Sequence, residues 1–455
     1  MLRHADASPK ALEQPVDTPP IRYDLQENVA GFTTSVFEAP VPARVLDMVQ
    51  PLWRETFGNS FDRERHVLEG GCVEYTRDLL YVATNGGEVA GTAVITMGRG
   101  MQGAAALGGV GEVATAQKHR GRGIAATLVM LGRDDFTRLG GELLGLGTVN
   151  PAAARVYRKL GFSRLGGCDA WYCNCRDARA PEEYLVDYFR AARAAGPPRY
   201  INGSGSAWPC SVAEGTAGER VSAMSLVHWV GSSDDLLLDA NLGLFTPRME
   251  TITSAMGVYD RYEGLRGDPL YQDGGEAGAK GTWLAAHSPD GQLVGLATCV
   301  ADGATDGEGE GPTCWVDVFL HRSFLNEWGA LLGGATSWAM SERRFSRVAV
   351  RVAQEDDSKQ QVANCRTPLQ HHPTMTCSRG FVLSDCLCVV SQRFIRHGFR
   401  PAAVDPEAEA AALILQHSVG GEDRVVELMV LEMMLGAADG AAADRRPQQP
   451  GLAAL

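Results

Sequence analysis

The feature that most constrains this chain is that it nearly repeats itself. Val89-Ala90-Gly91, placed after a strand pattern and a turn, returns as Leu293-Val294-Gly295, an offset of 204 residues. At an offset of 205, GEVATAQKHRGRGIAATL (111–128) falls on VDVFLHRSFLNEWGALL, pairing Glu112 with Asp317, and ELLGLGTVN (142–150) falls on RVAVRVAQE. Two apolar strands often resemble each other by chance, but four elements at a nearly constant offset point to duplication. At 455 residues the chain is also too long for one ordinary core. Two tandem lobes of one architecture are therefore expected.

The first copy shows what that architecture is. Residues 41–58 carry apolar side chains at helical spacing. LLYVATNGGEVAGTAVITM (79–97) reads as two strands around an Asn-Gly-Gly turn. A strand over 107–115 leads into a helix that runs to about Leu139, with Ile124, Leu128 and Leu131 on one face. A buried-type strand (142–148), a helix (150–160) and a last strand near 168–174 follow. The expected fold class is α/β, or α+β, a mixed and mostly antiparallel twisted sheet flanked by helices. Residues 178–206 read as a linker helix and loop, and 1–27 and 438–455 as disordered tails.

QKHRGRGIAATL (117–128) is where chemistry enters. A strand that ends in such a turn and opens directly into a helix aims successive backbone N–H groups into one concavity, and the helix dipole favours an anion there. Gly121 and Gly123 remove Cβ atoms from the approach, and Arg120 and Arg122 supply charge. An exposed basic turn explains the same residues, because short glycine motifs are unspecific. Downstream stands NPAAARVYRKLGF (150–162). Asn150 can cap the next helix or bind an amide, Pro151 suits a first helical position, and Ala153 leaves room beside the helix. Tyr157 lies one turn on, on the same face as Ala153.

Together the two motifs resemble the GNAT superfamily of acyl-CoA-dependent N-acetyltransferases over roughly residues 30–176. Arg120, Gly123 and Ala125 match its phosphate motif, and Asn150, Ala153, Tyr157, Gly161 and Phe162 match its downstream pattern. The resemblance implies that the N–H groups of residues 121–126 (Gly121, Arg122, Gly123, Ile124, Ala125, Ala126) hold the pyrophosphate of acetyl-CoA. It further implies that strands 109–115 and 142–148 splay apart, that the pantetheine arm pairs with the backbone of Val113, Ala114 and Thr115, and that Asn150 and Ala153 border the cofactor.

Acyl transfer from a thioester needs a neutral amine, whereas a lysine-like amine has a pKa of about 10.4. A base must take its proton. Glu112, on the strand just before the cofactor-pairing residues, is the candidate; an edge charge facing solvent is the alternative. The leaving thiolate needs a proton, and Tyr157 fits that role by the resemblance; a packing tyrosine is the alternative. Cys168, Cys173 and Cys175 follow the motif on the last strand and read as core or surface thiols rather than an acetyl carrier.

The second copy has lost these residues. At the offset of 205, Arg120, Gly121, Arg122 and Gly123 become Leu325, Asn326, Glu327 and Trp328, while Asn150 becomes Glu355 and Tyr157 becomes Val362. A GNAT-like domain over 207–437 that no longer binds acetyl-CoA is expected, with an insertion near 363–392, beside a catalytic domain over 28–177. Cysteines and a His371-His372 pair in that insertion match no zinc-finger spacing, so no metal is expected. RFIRHGF (393–399) restores the Gly-Phe element, and a hairpin around Gly420-Gly421 closes the copy. The two-lobed layout is also similar to the enhanced-intracellular-survival acetyltransferases, but too little chain follows residue 399 for their sterol-carrier-like domain.

A net charge of −13 disfavours nucleic-acid partners and suits a cationic acceptor. No run of 18 apolar residues is present, so no membrane span is expected. Eleven cysteines without scaffold spacing suggest a reducing, cytoplasmic setting. The expected activity is transfer of an acetyl group from acetyl-CoA to a primary amine by the first lobe. A non-catalytic acyl-CoA sensor is the alternative.

Overall fold

The computed structural model describes most of residues 31–353 and, outside that span, 21–23, 400–401, 414–419 and 422–434. The first lobe is a sheet of eight strands: β1 (Ile21–Tyr23), β2 (Thr33–Glu38), β3 (Thr76–Asn85), β4 (Glu88–Gly98), β5 (Leu107–Thr115), β6 (Leu143–Gly147), β7 (Ser163–Arg164) and β8 (Ala170–Asn174). They lie in the order β1-β2-β3-β4-β5-β6-β8-β7. Neighbours are antiparallel except β5 and β6, which are parallel and joined through α3 (Ile124–Arg138). Gly86 and Gly87 both take positive φ, 57° and 86°, and close the β3–β4 hairpin as a two-residue turn whose twist suits the strands.

Helices cover both faces. α1 (Ala43–Phe57) buries Val45, Leu46, Val49, Leu52 and Trp53 against one face, and the short α2 (Asp62–His66) follows it. On the other face lie α3 and α4 (Pro151–Lys159). A Cβ added at Gly132 would meet Ile95 at 2.5 Å, so α3 sits closer to the sheet than alanine would allow. α5 (Pro181–Ala194) buries Tyr184, Leu185, Tyr188 and Phe189.

The second lobe contains α6 (Arg220–Gly231) and α7 (Ala255–Gly264), a small pair of strands, β10 (Leu237–Asp239) and β11 (Leu244–Phe245), and a second sheet. That sheet comprises β9 (Ser211–Glu214), β12 (Gly281–His287), β13 (Leu293–Ala301), β14 (Thr313–Leu320), β15 (Arg347–Ala353), β16 (Arg400–Pro401), β17 (Ile414–Val419) and β18 (Glu422–Met434). Its order is β16-β18-β15-β14-β13-β12-β9, with β17 paired to β18. Again one neighbouring pair is parallel, β14 and β15, and again a helix, α8 (Trp328–Ser341), lies between them in the chain. The closing hairpin read from the sequence is β17–β18, with Val419 opposite Glu422.

The lobes share a core in which Leu107, Leu143 and Tyr172 of the first pack with Met224, Val227 and Ala255 of the second. Polar contacts join them too. Arg220, fully buried on α6, donates to Asp78 Oδ1 (2.5 Å) and Thr76 Oγ1 (2.7 Å) on β3. Tyr172 Oη and His228 Nδ1 are 2.8 Å apart, and Arg63 Nη1 donates to Asp260 Oδ2 at 2.8 Å.

Two expectations need correction. The tail assigned to 1–27 contains β1, which pairs with β2 from Ile21↔Val36 to Tyr23↔Thr34. The helix in the linker span is α5, whose apolar face lies in the shared core, so it packs the lobes together instead of merely tethering them. The sequence pattern also gave no sign of β1, β2 and β7, whose strands are too short or too mixed for periodicity to register. Residues 325–327, 355, 362, the insertion 363–392, RFIRHGF and the tail 438–455 lie outside the described residues, as does the Trp328 side chain. No helix among the described residues is long and apolar enough to cross a membrane.

Candidate active site

The turn after β5 forms the mouth of α3. Gly121 and Gly123 take φ of 77° and 82°, and nothing lies within 4 Å of a Cβ built on either. The first helical hydrogen bond of α3 is Thr127 N–H to Gly123 O, so the N–H groups of Ile124, Ala125 and Ala126 have no carbonyl upstream of them in the helix. No acidic residue stands in that first turn. The turn is thus open and donor-rich, with no acidic side chain in the first turn of the helix, and suits an anion such as a pyrophosphate.

Both arginines are placed beside it. Arg120 Nε donates to the Thr115 carbonyl (3.2 Å), and the Arg122 guanidinium lies 5.9 Å from the centre of the Phe32 ring. Phe32 also meets the buried His119 edge-on at 5.3 Å. No local signal marks Phe32, which lies some 90 residues upstream in the chain.

The parallel pairing of β5 with β6 runs Leu107↔Leu143, Gly108↔Leu144, Gly109↔Gly145 and stops there. Beyond it, β5 is held by β4 and β6 by β8. The strands part as the resemblance implied, leaving the Val113–Thr115 edge without a strand on the β6 side. Asn150 Oδ1 caps α4, accepting from Ala152 N–H (2.9 Å) and Ala153 N–H (3.4 Å). The capping alternative is therefore the one its carbonyl oxygen takes. Ala153 and Tyr157 pack into the same core cluster, with Phe162 5.7 Å from the Tyr157 ring.

Glu112 sits where β5 bulges. Thr92 pairs with Ala114 and Val94 with Gly111, so Glu112 and Val113 together oppose Ala93. Its φ is +47°, in the left-handed region. Burial first, then the carboxylates of Glu64 and Asp260, push its carboxyl up to about 8, with Arg220 opposing. Tyr157 is buried, and burial first and the Glu112 charge second push its hydroxyl well above the usual tyrosine range. Its backbone carbonyl accepts from the Leu160 and Phe162 N–H groups, each at 3.0 Å, which closes the end of α4. A carboxyl pushed up to about 8 and a hydroxyl held protonated by burial thus lie near enough for the charge of one to act on the other.

The second lobe walls this region. A Cβ on Gly109 would touch Ala255 at 3.2 Å, and one on Gly111 would touch Ser254 at 3.6 Å. Cys168 and Cys173 are buried and Cys175 is half-buried; all three are free thiols. Among the described residues no group of three or more His, Cys, Asp or Glu side chains converges as metal ligands would.

Residues 46–162 match the model of the acetyltransferase (GNAT) family. Among solved structures, a GCN5-related N-acetyltransferase from Kribbella flavida is similar at 15% identity over 71% of this chain and 66% of its own, with a TM-score of 0.28. YhbS from Escherichia coli, solved with CoA, is similar at 23% identity over 32% of this chain and 82% of its own (TM-score 0.25). The putative acetyltransferase yncA from Salmonella typhimurium, solved with acetyl-CoA, is similar at 18% identity over 32% and 97% (TM-score 0.25). No curated protein matches the sequence.

Proposed function

We propose that the protein moves an acetyl group from acetyl-CoA to a primary amine, with the first lobe catalytic. The observation that carries this reading is the open, donor-rich turn at the mouth of α3, next to the point where β5 leaves β6. β5 also carries Glu112, whose charge acts on Tyr157. The N–H groups of 121–126 hold the pyrophosphate, and Val113 to Thr115 pair with the pantetheine arm. Glu112, with a carboxyl near 8, takes the proton of the ammonium at neutral to mildly alkaline pH. The freed amine attacks the thioester carbon, the C–S bond breaks, the Tyr157 hydroxyl protonates the leaving sulfur, and the proton shed by the new amide nitrogen returns through water to the Tyr157 oxygen.

The second sheet, with its matching order and its parallel pair at β14–β15, is read as a degenerate copy that binds no acetyl-CoA. Through α6 and α7 it shapes the acceptor side of the cleft. The carboxylates of Glu64 and Asp260 beside Glu112 favour a cationic acceptor. The test is thiol release from acetyl-CoA across a panel of amines, run beside calorimetric titration of acetyl-CoA. Acetyl-CoA binding with no thiol release for any amine would favour a sensor.

A further inference from the structure

Glu112 occupies a place that glycine ordinarily takes. In a bulge of this kind the left-handed residue is usually Gly, since a Cβ there crowds the following carbonyl. Such a conformation persists where its surroundings over-determine it, and it clusters at working sites. The structure shows what holds this one. Thr92, fully buried on β4, donates its hydroxyl proton to the Glu112 carbonyl at 2.8 Å. Thr92 Oγ1 in turn accepts from Trp53 Nε1–H, also at 2.8 Å. A hydroxyl has one proton, so the indole N–H, by occupying a lone pair, directs that proton to the carbonyl. Trp53 is itself fixed: it is 1% exposed, and the Phe61 ring packs against it at a tilt of 41°, 5.4 Å between centroids. Phe61 (φ 62°) is the other non-glycine residue with positive φ among the described residues. Both strained positions therefore converge on Trp53.

The consequence follows from the planar trans peptide. Drawing the Glu112 carbonyl toward Thr92 and α1 sends the Val113 N–H of the same peptide the opposite way. We propose that Thr92, oriented by Trp53, is a positioning residue for acyl transfer, locking the Glu112–Val113 peptide so that the Glu112 side chain and the Val113 N–H are both presented to the reacting groups. This rests on the acetyltransferase reading for its kinetic consequence, but the relay itself does not.

Three variants test it: Thr92→Val, which keeps the shape and removes the hydroxyl, Thr92→Ser, which restores it, and Trp53→Phe, which keeps a ring and removes the N–H. For each, acetyl-CoA affinity is measured by calorimetry. Thiol release is followed with water and with 1,4-diaminobutane as acceptors, and amide hydrogen exchange over residues 110–115 by mass spectrometry. Thr92→Val is expected to lose turnover by up to about 10²-fold, the scale of a misplaced reacting group, while acetyl-CoA affinity stays within about threefold. Exchange over 110–115 rises in Thr92→Val, falls back in Thr92→Ser, and rises partially in Trp53→Phe. Wild-type turnover and exchange in Thr92→Val, or a loss that Thr92→Ser does not restore, overturns the proposal. Should wild type neither bind acetyl-CoA nor release thiol, the acetyltransferase reading fails, and hydrogen exchange alone still decides the relay.

Discussion

Replacing Glu112 should make the protein more stable and less active, and the size of each effect can be worked out. The carboxyl titrates at an ordinary 4.5 when exposed and at about 8 in the fold. A folded value above the unfolded one means that the charged form is disfavoured by folding. The penalty is absent below about pH 4.5, grows as pH rises toward 8, and then levels off. Taken in full, such a difference corresponds to about 5 kcal/mol above pH 8. The side chain retains some contact with solvent, so roughly 2–3 kcal/mol is the better expectation. Glu112→Gln removes the charge but keeps the left-handed strain. Glu112→Gly also relieves the strain, about 1–2 kcal/mol, and returns about 0.5–1 kcal/mol through the freedom of glycine in the unfolded chain. Both variants should therefore unfold at higher denaturant than wild type at pH 9, Gly slightly more so, whereas Gln should differ little from wild type at pH 4.5. Turnover should fall about 10²–10⁴-fold in both, the usual worth of a general base. The wild-type kcat/KM should rise through a limb near pH 8 that is missing in Glu112→Gln. Chemical denaturation at the two pH values and thiol-release profiles from pH 6 to 10 measure this. If Glu112→Gln keeps wild-type rate and the same limb, Glu112 is not the base, and if its stability gain is equal at both pH values the electrostatic reasoning is wrong.

Other outcomes follow from the same site. Gly123→Trp puts a side chain into the open cradle and strains a backbone with φ 82°, so acetyl-CoA binding should vanish by calorimetry while the fold persists by circular dichroism. Titration of the whole chain should give one acetyl-CoA per polypeptide; two equivalent sites would overturn the proposal that the second copy binds none. Tyr157→Phe keeps the ring against Phe162 and removes the proton, so thiol release should drop about 10²–10⁴-fold with acetyl-CoA affinity nearly unchanged. Full turnover in that variant would leave Tyr157 a packing residue only.

Much of this molecule is written locally in its sequence. The hairpin at Gly86-Gly87, the strand 107–115, the cradle at Gly121 and Gly123 and the capped helix at Asn150 each depend on residues within a turn or two of one another. Backbone freedom, capping and amphipathic spacing act over that range, so pattern alone identified them. Even the parting of β5 from β6 came from the resemblance those motifs carry. Tertiary structure decided what no spacing encodes. Trp53, Thr92 and Glu112 are far apart in the chain and meet only because α1 packs on the face of β4 beside the bulge. The raised carboxyl of Glu112 comes first from burial, then from the Glu64 and Asp260 carboxylates, with Arg220 opposing, and Asp260 and Arg220 reach it only through the docking of α6 and α7 on the first sheet. Charge–charge energy and desolvation depend on distance and burial in space, not on separation along the chain. The open glycine turn was therefore legible in residues 117–128, whereas the raised carboxyl of Glu112 depends on burial and on charges that only the packing of the two lobes on a common core brings near it.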